Sequence, residues 1–269
     1  MHYRLPILIS AALALSGCVT SPTGRHQLMM VSDAQMSQMG LTAFDSMRKQ
    51  GKFVDAPRER AYATCVASAL VKALPPPWNT QSWEVQIIGD DSANAFALPG
   101  GRIGVNRGMF KVATDENQLA VVLGHELSHV VARHGAERVS DNYAAQAVVL
   151  AGSAYAASQG GDAGRTAAAL GLGAEVGLLL PFSRTQESEA DELGLRYMAK
   201  AGFDPRAGTV LWQKMAQQSG GKVPAFLSTH PSSGNRAQKL AAEAQQLMPT
   251  YEAARASGNA PNCRPPATT

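Results

Sequence analysis

The sequence predicts an α+β fold that is mainly helical, with a small antiparallel sheet beside one central helix. Apolar residues recur at helical spacing from early in the chain, beginning with Met36, Met39 and Met47. Alternation of apolar and polar residues, which is typical of a half-buried strand, is found at residues 83–88. A few short strands among longer helical segments therefore indicate this fold class.

The first residues resemble an export signal. Arg4 precedes an apolar run over residues 5–15 that is too short to remain as a membrane-spanning helix. Small residues then precede Cys18, as in a bacterial lipobox, and Val19 follows it. The resemblance implies that residues 1–17 are removed and that lipid on Cys18 anchors the chain at the periplasmic face of the outer membrane. An ordinary cleaved signal with an incidental cysteine is the alternative.

The mature chain is predicted to be one domain. Residues 18–31 form a lipidated N-terminus and polar tether, residues 32–258 a single domain, and residues 259–269 a C-terminal tail. Cys65 and Cys263 remain as an even pair and are predicted to form a disulfide, with two unpaired thiols as the alternative. The net charge is only +3 and no Lys/Arg cluster is interleaved with aromatic residues, so nothing indicates a nucleic-acid partner.

The segments before the central helix are predicted in turn. A helix is expected over residues 32–50, where Met residues recur near helical spacing. A second helix is expected over residues 58–74 and ends at the proline run 75–77. A Pro-Gly-Gly turn at residues 99–101 separates two short apolar segments and predicts a hairpin. The expected strands are residues 83–88, 94–98 and 102–105.

The central helix carries His125, Glu126 and His129, with Thr114 as its expected cap. Two imidazoles at positions i and i+4 point the same way and can bind one metal ion. Such a pair with a third ligand and one open position suits one zinc ion per chain. Glu126 then lies where it can take a proton from a metal-held water, so the segment is a zinc-peptidase signature. A surface helix with a chance histidine pair is the alternative.

The third ligand is expected downstream. A histidine ligand six residues after His129 is excluded because position 135 is glycine. Glu187 and Asp191 are four residues apart and share a helix face, whereas Glu189 points roughly opposite. Glu187 is predicted to bind zinc, and Asp191 to orient a ligand imidazole. A solvated acidic helix face is the alternative.

Four segments together resemble the zinc metallopeptidase family that includes the HtpX proteases and the CAAX prenyl endopeptidases, metallopeptidase family forty-eight. The resemblance is strongest to its soluble periplasmic lipoprotein branch, the BepA- and LoiP-like proteins. The segments are residues 94–101, 125–129, 187–191 and 229–231 with Arg236. They occur in the family's order, and they imply a zincin-like (gluzincin) fold with His125, His129 and Glu187 as metal ligands.

The resemblance also implies a role for His230, which either fills the open metal position in a latent state or steadies the reacting substrate. From the residues alone, His230 is equally compatible with a surface position before Pro231. Arg236 either binds the substrate backbone or belongs simply to the helix that begins nearby. His134 lies on a different face of the helix from His129 and is expected not to be a ligand.

The sequence is less specific about residues 143–180 and about the C-terminal helices. Residues 143–180 are rich in Ala and Gly and contain two apolar runs, 144–157 and 167–180, that are too short to span a membrane. They form either a mobile lid over the site or two scaffold helices. Asp204 and the following proline predict a helix start, and a last helix is expected over about 233–257 with a break or bend at Pro249.

These residues predict a zinc-dependent endopeptidase in which Glu126 acts as general base and then acid. The substrate is expected to add a strand along residues 94–98. The resemblance implies that the substrates are misfolded or stalled envelope proteins, chiefly unfolded outer-membrane proteins, and that the outer-membrane assembly machinery is a partner. The alternative is a chaperone-like binding module with latent proteolysis. A zinc-stapled structural protein is disfavoured because a closed site would not need Glu126.

Overall fold

The structure is a computed structural model that describes residues 18–159, 162, 182–218, 225–231 and 235–266. These residues belong to two compact units. The first unit consists of the described residues within Met1–Asp33 and Arg133–Leu180. The second consists of the described residues within Ala34–Ala132 and Pro181–Thr269. The domain boundaries given by the sequence remain predictions.

Helices predominate over strands in the described residues, and the predicted fold class is confirmed. In chain order the elements are β1 (Cys18–Thr20), β2 (His26–Leu28), α1 (Asp33–Lys49), α2 (Pro57–Lys72), β3 (Glu84–Ile88), β4 (Ala95–Leu98), β5 (Arg102–Asn106), α3 (Met109–Val112), α4 (Glu116–Val131), α5 (His134–Ser158), α6 (Arg184–Ala201), α7 (Ala207–Gln218), α8 (Ala225–Thr229) and α9 (Arg236–Ala256).

In the first unit, strands β1 and β2 form an antiparallel pair in which Cys18 lies opposite Leu28. Gln27 Nε2 donates a hydrogen bond to Glu137 of α5 at 3.0 Å, and Arg25 Nη2 donates to the same carboxylate at 2.7 Å. The segment predicted as a polar tether thus contains a hairpin, because its polar side chains find a buried acceptor on α5. The first apolar run, 144–157, lies within α5, whereas the run 167–180 lies outside the described residues, so the lid prediction stays a prediction.

The second unit contains a three-stranded sheet in the order β3-β5-β4. Strands β4 and β5 form the predicted antiparallel hairpin, with Gly100 and Gly101 both at positive φ in the turn. Strand β3, however, pairs parallel with β5, so the sheet is mixed rather than wholly antiparallel. Because β3 lies on the far side of β5, strand β4 has one free edge among the described strands.

Helix α4 is the centre of the second unit. Every residue from Gln118 to Val131 is buried, and the helix packs against α2, α6, α7 and β4. Its N-cap is Asp115, whose side chain accepts a hydrogen bond from the backbone N–H of Gln118 at 2.9 Å, and not Thr114 as the sequence suggested. Both residue types are good caps, so the position of the first helical turn decides between them.

Helices α4 and α6 cross at Gly124 and Gly194. A Cβ built on Gly194 would lie 2.9 Å from the backbone nitrogen of His125, which is closer than real Cβ atoms approach. Helix α6 begins with a capping box of Ser183 and Gln186 and ends at Gly202, which has positive φ. These features fix where α6 starts and how closely it approaches α4.

A disulfide joins Cys65 of α2 to Cys263 in the C-terminal segment, as predicted. The Cys263 backbone N–H also donates to the carboxylate of Glu116 at the start of α4. Helix α9 continues through Pro249, where the sequence predicted a break or bend. Within the described residues, no helix combines the length and the apolar character needed to cross a membrane.

Candidate metal centre

Four buried side chains from three places in the fold converge in the second unit. His125 and His129 come from α4, Glu187 comes from the first turn of α6, and His230 directly follows α8. One ligand atom from each residue lies within 4.8 Å of those of the other three. Among the described residues, this is the group of His, Cys, Asp and Glu side chains that could hold a metal ion.

The spacing of the donor atoms fits one ion. His129 Nε2 lies 3.0 Å from His125 Nε2, and His125 Nε2 lies 3.2 Å from His230 Nδ1. Glu187 Oε1 lies 3.0 Å from His230 Nδ1. Ligand atoms at zinc bond lengths in a tetrahedral arrangement would be roughly 3.3 Å apart. The cluster therefore has the dimensions of a tetrahedral metal site.

Glu126 Oε1 is buried at the cluster and makes no hydrogen bond. Glu187 Oε2 makes none either, but it lies 3.1 Å from Arg236 Nη1. Buried polar atoms normally have a partner, and an uncompensated carboxylate is unfavourable in a buried site. A divalent cation would offset this negative charge. The donor set of imidazoles and a carboxylate suits zinc and related first-row metals rather than calcium or magnesium.

Glu126 lies beside this cluster, where the sequence placed a general base. Its Oε1 is 3.4 Å from His230 Nε2. Burial is the largest influence on its carboxyl group and raises the pKa, while the nearby His230 and His125 and a hydrogen bond from the Ala97 backbone oppose that rise. A raised pKa suits a group that must accept a proton and then give it back.

Asp191 contacts a cluster histidine from behind. His125 Nδ1 donates to Asp191 Oδ1 at 2.9 Å, which turns the Nε2 atom of His125 towards the other donors. Burial by itself lowers the pKa of His125, but hydrogen bonds to Asp191 and Glu187 outweigh it and raise the pKa to about 9. For Glu187 the balance is the opposite. Burial alone would raise the pKa of its carboxyl group, but the contacts with His125 and His230 outweigh burial and lower that pKa.

Arg236 is the main site residue whose position the sequence left open. It is buried and forms two hydrogen bonds to Asp191, with Nε–Oδ2 2.6 Å and Nη2–Oδ1 2.7 Å. Its Nη1 lies 3.1 Å from Glu187 Oε2. Its guanidinium also lies over the ring of Trp212 at 3.9 Å. The buried position favours a role in holding Asp191 and Glu187 over direct binding of substrate.

Two phenylalanines pack on the imidazoles, and no sequence signal pointed to either. Phe182 stacks on His129 with ring centroids 3.9 Å apart, and Phe226 stacks on His230 at 4.5 Å. Each ring restricts the rotation of the histidine beneath it. His134 and Glu189 are buried but are not members of the cluster, as the sequence led us to expect.

The chain is similar to known proteins over most of its length. Residues 57–244 match Peptidase family M48. The chain is 43% identical over 167 residues to the mitochondrial metalloendopeptidase OMA1 of Schizosaccharomyces pombe, covering 59% of this chain and 45% of that protein. It is 31% identical over 259 residues to OMA1 of Bos taurus, covering 90% of this chain and 48% of that protein.

A bacterial relative is similar over a comparable span. The beta-barrel assembly-enhancing protease of Escherichia coli is 27% identical over 252 residues, which cover 90% of this chain and 50% of that protein. The chain thus spans about half the length of the curated relatives it matches.

The predicted location at the periplasmic face of the outer membrane, with a lipid anchor on Cys18, is contradicted. Most of the similar proteins compared are mitochondrial by name, from yeast, plant and animal sources. The prediction depended on a short apolar run and a few small residues before one cysteine, a pattern too local to specify a compartment.

Proposed function

Because the chain belongs to peptidase family M48, we propose that it is a zinc-dependent endopeptidase with His125, His129 and Glu187 as metal ligands. The observation that carries this proposal is the convergence of these buried donors beside the carboxylate of Glu126. When bound, zinc would lower the pKa of a water molecule towards about 7 and polarise the scissile carbonyl.

Glu126 is the proton carrier in this proposal. It accepts a proton from the attacking water and delivers it to the leaving amine, as general base and then general acid. Its buried position beside β4 keeps the carboxylate out of bulk water and next to the edge at Ala97. Asp191 holds the His125 ring in the tautomer and orientation that expose Nε2.

The substrate is proposed to bind as an extended strand along the free edge of β4. Backbone pairing at a sheet edge is tolerant of sequence, because the hydrogen bonds involve only main-chain groups. The contact between Ala97 and Glu126 places that edge next to the proton carrier. A bound strand would therefore present its peptide bonds to the metal site.

Misfolded or stalled polypeptides are the proposed substrates, since an edge strand selects for extended chain rather than for one sequence. Membrane β-barrel proteins are a specific class to test, because one relative is named a beta-barrel assembly-enhancing protease. Partners in β-barrel assembly are proposed on the same ground.

His230 supports a second candidate function. Its Nδ1 lies among the ligand atoms, 3.0 Å from Glu187 Oε1 and 3.2 Å from His125 Nε2. A fourth protein ligand would fill the position needed for catalysis. We therefore retain the alternative of a chaperone-like binding module whose proteolysis is latent until His230 moves away; His230 steadying the reacting substrate is the competing role.

The test is cleavage of casein and of an unfolded β-barrel protein by the purified chain, with bound zinc quantified. Glu126→Gln should retain zinc and lose cleavage, whereas Glu252→Gln, an exposed change on α9, should cut like wild type. Cleavage that persists in Glu126→Gln would overturn the mechanism. Activity that appears only in His230→Ala would support latency, and zinc binding without cleavage in every variant would favour the binding module.

A further inference from the structure

We propose that Arg236 is a positioning residue that sets the metal affinity of the site by holding Asp191 and Glu187 Oε2 simultaneously. The inference rests on the proposed zinc site and concerns how the side chains of its ligands are held in their orientations. Arg236 is only 5% exposed and begins helix α9, so it belongs to a different element from either carboxylate.

The first step concerns Asp191. Two parallel hydrogen bonds from Arg236, at 2.6 and 2.7 Å, fix the plane of the Asp191 carboxylate. The oxygen that receives the Nη2 bond, Oδ1, is also the acceptor for His125 Nδ1 at 2.9 Å. The orientation of the His125 ring therefore follows from the orientation that Arg236 imposes on Asp191.

The second step concerns Glu187. Arg236 Nη1 is 3.1 Å from Oε2, whereas Oε1 faces His230 Nδ1 at 3.0 Å and His129 Nε2 at 3.5 Å. The positive charge of Arg236 holds Oε2 in place between its own Nη1 and His125 Nε2, which lies 3.4 Å from that oxygen. With Oε2 held in this way, Oε1 is turned towards His129 and His230.

The third step is the fixation of Arg236 itself. Its Nη1 also donates to the His230 carbonyl at 3.4 Å, and its guanidinium carbon lies 3.9 Å from the centroid of the Trp212 ring. One planar group therefore contacts two carboxylates and the backbone of a third site residue. Lysine could supply the charge but not the planar fork, so an Arg-to-Lys change separates geometry from charge.

A purely structural role is the competing explanation, because a buried ion pair can hold two helices together without affecting a ligand. The two explanations differ in what they change. A structural role alters the stability of the metal-free protein and leaves zinc affinity alone. A positioning role alters zinc affinity in proportion to the loss of fixed ligand geometry.

The experiment measures the zinc dissociation constant of the purified full chain by competition with a chromogenic chelator, alongside metal-free melting temperatures. Arg236→Lys is expected to weaken zinc binding by about 10- to 100-fold. The exposed Arg206→Lys, whose partner is Asp204 away from the cluster, should bind zinc like wild type. The visible spectrum of the cobalt-substituted Arg236→Lys protein should also differ from that of wild type.

A double-mutant cycle tests whether the effect of Arg236 on zinc affinity is exerted through Asp191. If Arg236 acts through Asp191, the effects of Arg236→Lys and Asp191→Asn on zinc affinity will be less than additive. Zinc binding by folded Arg236→Lys as tight as that of wild type would overturn this proposal while leaving the zinc peptidase intact. Wild type that binds no zinc would overturn the proposed function and this inference together. Arg236→Gln replaces the lysine variant if the latter does not fold.

Discussion

Gly194 of α6 lies so close to α4 that a Cβ added to it would come within 2.9 Å of the backbone nitrogen of His125. Gly124 faces it, and its own added Cβ would meet the Gly194 carbonyl oxygen at 3.1 Å. The helix that carries two proposed ligands and the helix that carries the third therefore meet backbone to backbone. The distance between them is set by the absence of side chains at this crossing.

Replacing Gly194 with alanine is therefore expected to separate α4 from α6. Because the added methyl meets backbone atoms that cannot rotate away, we expect a loss of about 1–3 kcal/mol in the free energy of unfolding, together with weaker zinc binding. Urea unfolding with and without chelator measures both. Gly208→Ala is the matched control, since its Cβ would meet only side-chain atoms at ordinary distances, Leu195 at 3.4 Å and Val121 at 3.9 Å. Equal zinc affinity in Gly194→Ala and wild type would contradict this account.

Metal binding should stabilise the fold, because the proposed ligands come from separate helices and meet only in the folded chain. At free zinc about 100 times the dissociation constant, the free energy of unfolding should rise by about 2.7 kcal/mol. Glu187→Ala should abolish most of this gain. Thermal unfolding in a zinc titration and in chelator gives the measurement, and an unchanged melting temperature on adding zinc to wild type would count against the site.

Stability should also depend on Glu243 of α9. Burial, the neighbouring Glu192 and, more weakly, Asp191 raise the pKa of Glu243 to about 7 despite Arg196 nearby. A carboxyl group with a raised folded-state pKa favours folding below its ordinary value of 4.5, and this contribution is lost as the pH rises from 4.5 to about 7.

Glu243→Gln should consequently raise the free energy of unfolding at pH 8, and should leave it nearly unchanged at pH 4. Because Glu243 is partly exposed, the gain is discounted to roughly 1 kcal/mol. Chemical unfolding at both pH values is the measurement, with Glu252→Gln as an exposed control on the same helix. A gain of the same size at pH 4 would exclude the titration as its cause.

The disulfide is expected to contribute substantially to stability. Cys65 and Cys263 are 198 residues apart, so the link restrains a long loop in the unfolded chain. The double variant Cys65→Ser/Cys263→Ser should lose about 2–5 kcal/mol, and reductant should destabilise wild type but not the variant. Guanidinium unfolding with and without reductant tests this, and a variant as stable as oxidised wild type would refute it.

The sequence placed those parts of the site that depend on one helix at a time. The spacing of His125 and His129, and of Glu187 and Asp191, fixes which side chains share a face whatever the rest of the fold does. The structure then brings the two helices together, which the spacing alone could not show. The cysteine pair was predicted by elimination, once Cys18 was set aside.

Other features depend on packing between distant elements and left no local signal. Arg236 reaches Asp191 only because α9 packs against α6, and the Phe182 ring meets His129 only where the chain enters α6. The parallel pairing of β3 with β5 likewise depends on which strands become neighbours in the sheet. A strand's own alternation of residues says nothing about the direction of its neighbour.

The Cys65–Cys263 link encloses every proposed ligand, along with Glu126 and Arg236, in a single covalent ring. A cut in any one peptide bond inside that ring opens it but releases no fragment. If one molecule nicks another, or itself, the product keeps its full mass and runs as one band until the disulfide is reduced. Self-processing between Cys65 and Cys263 would therefore go unseen on a non-reducing gel and become visible only after reduction.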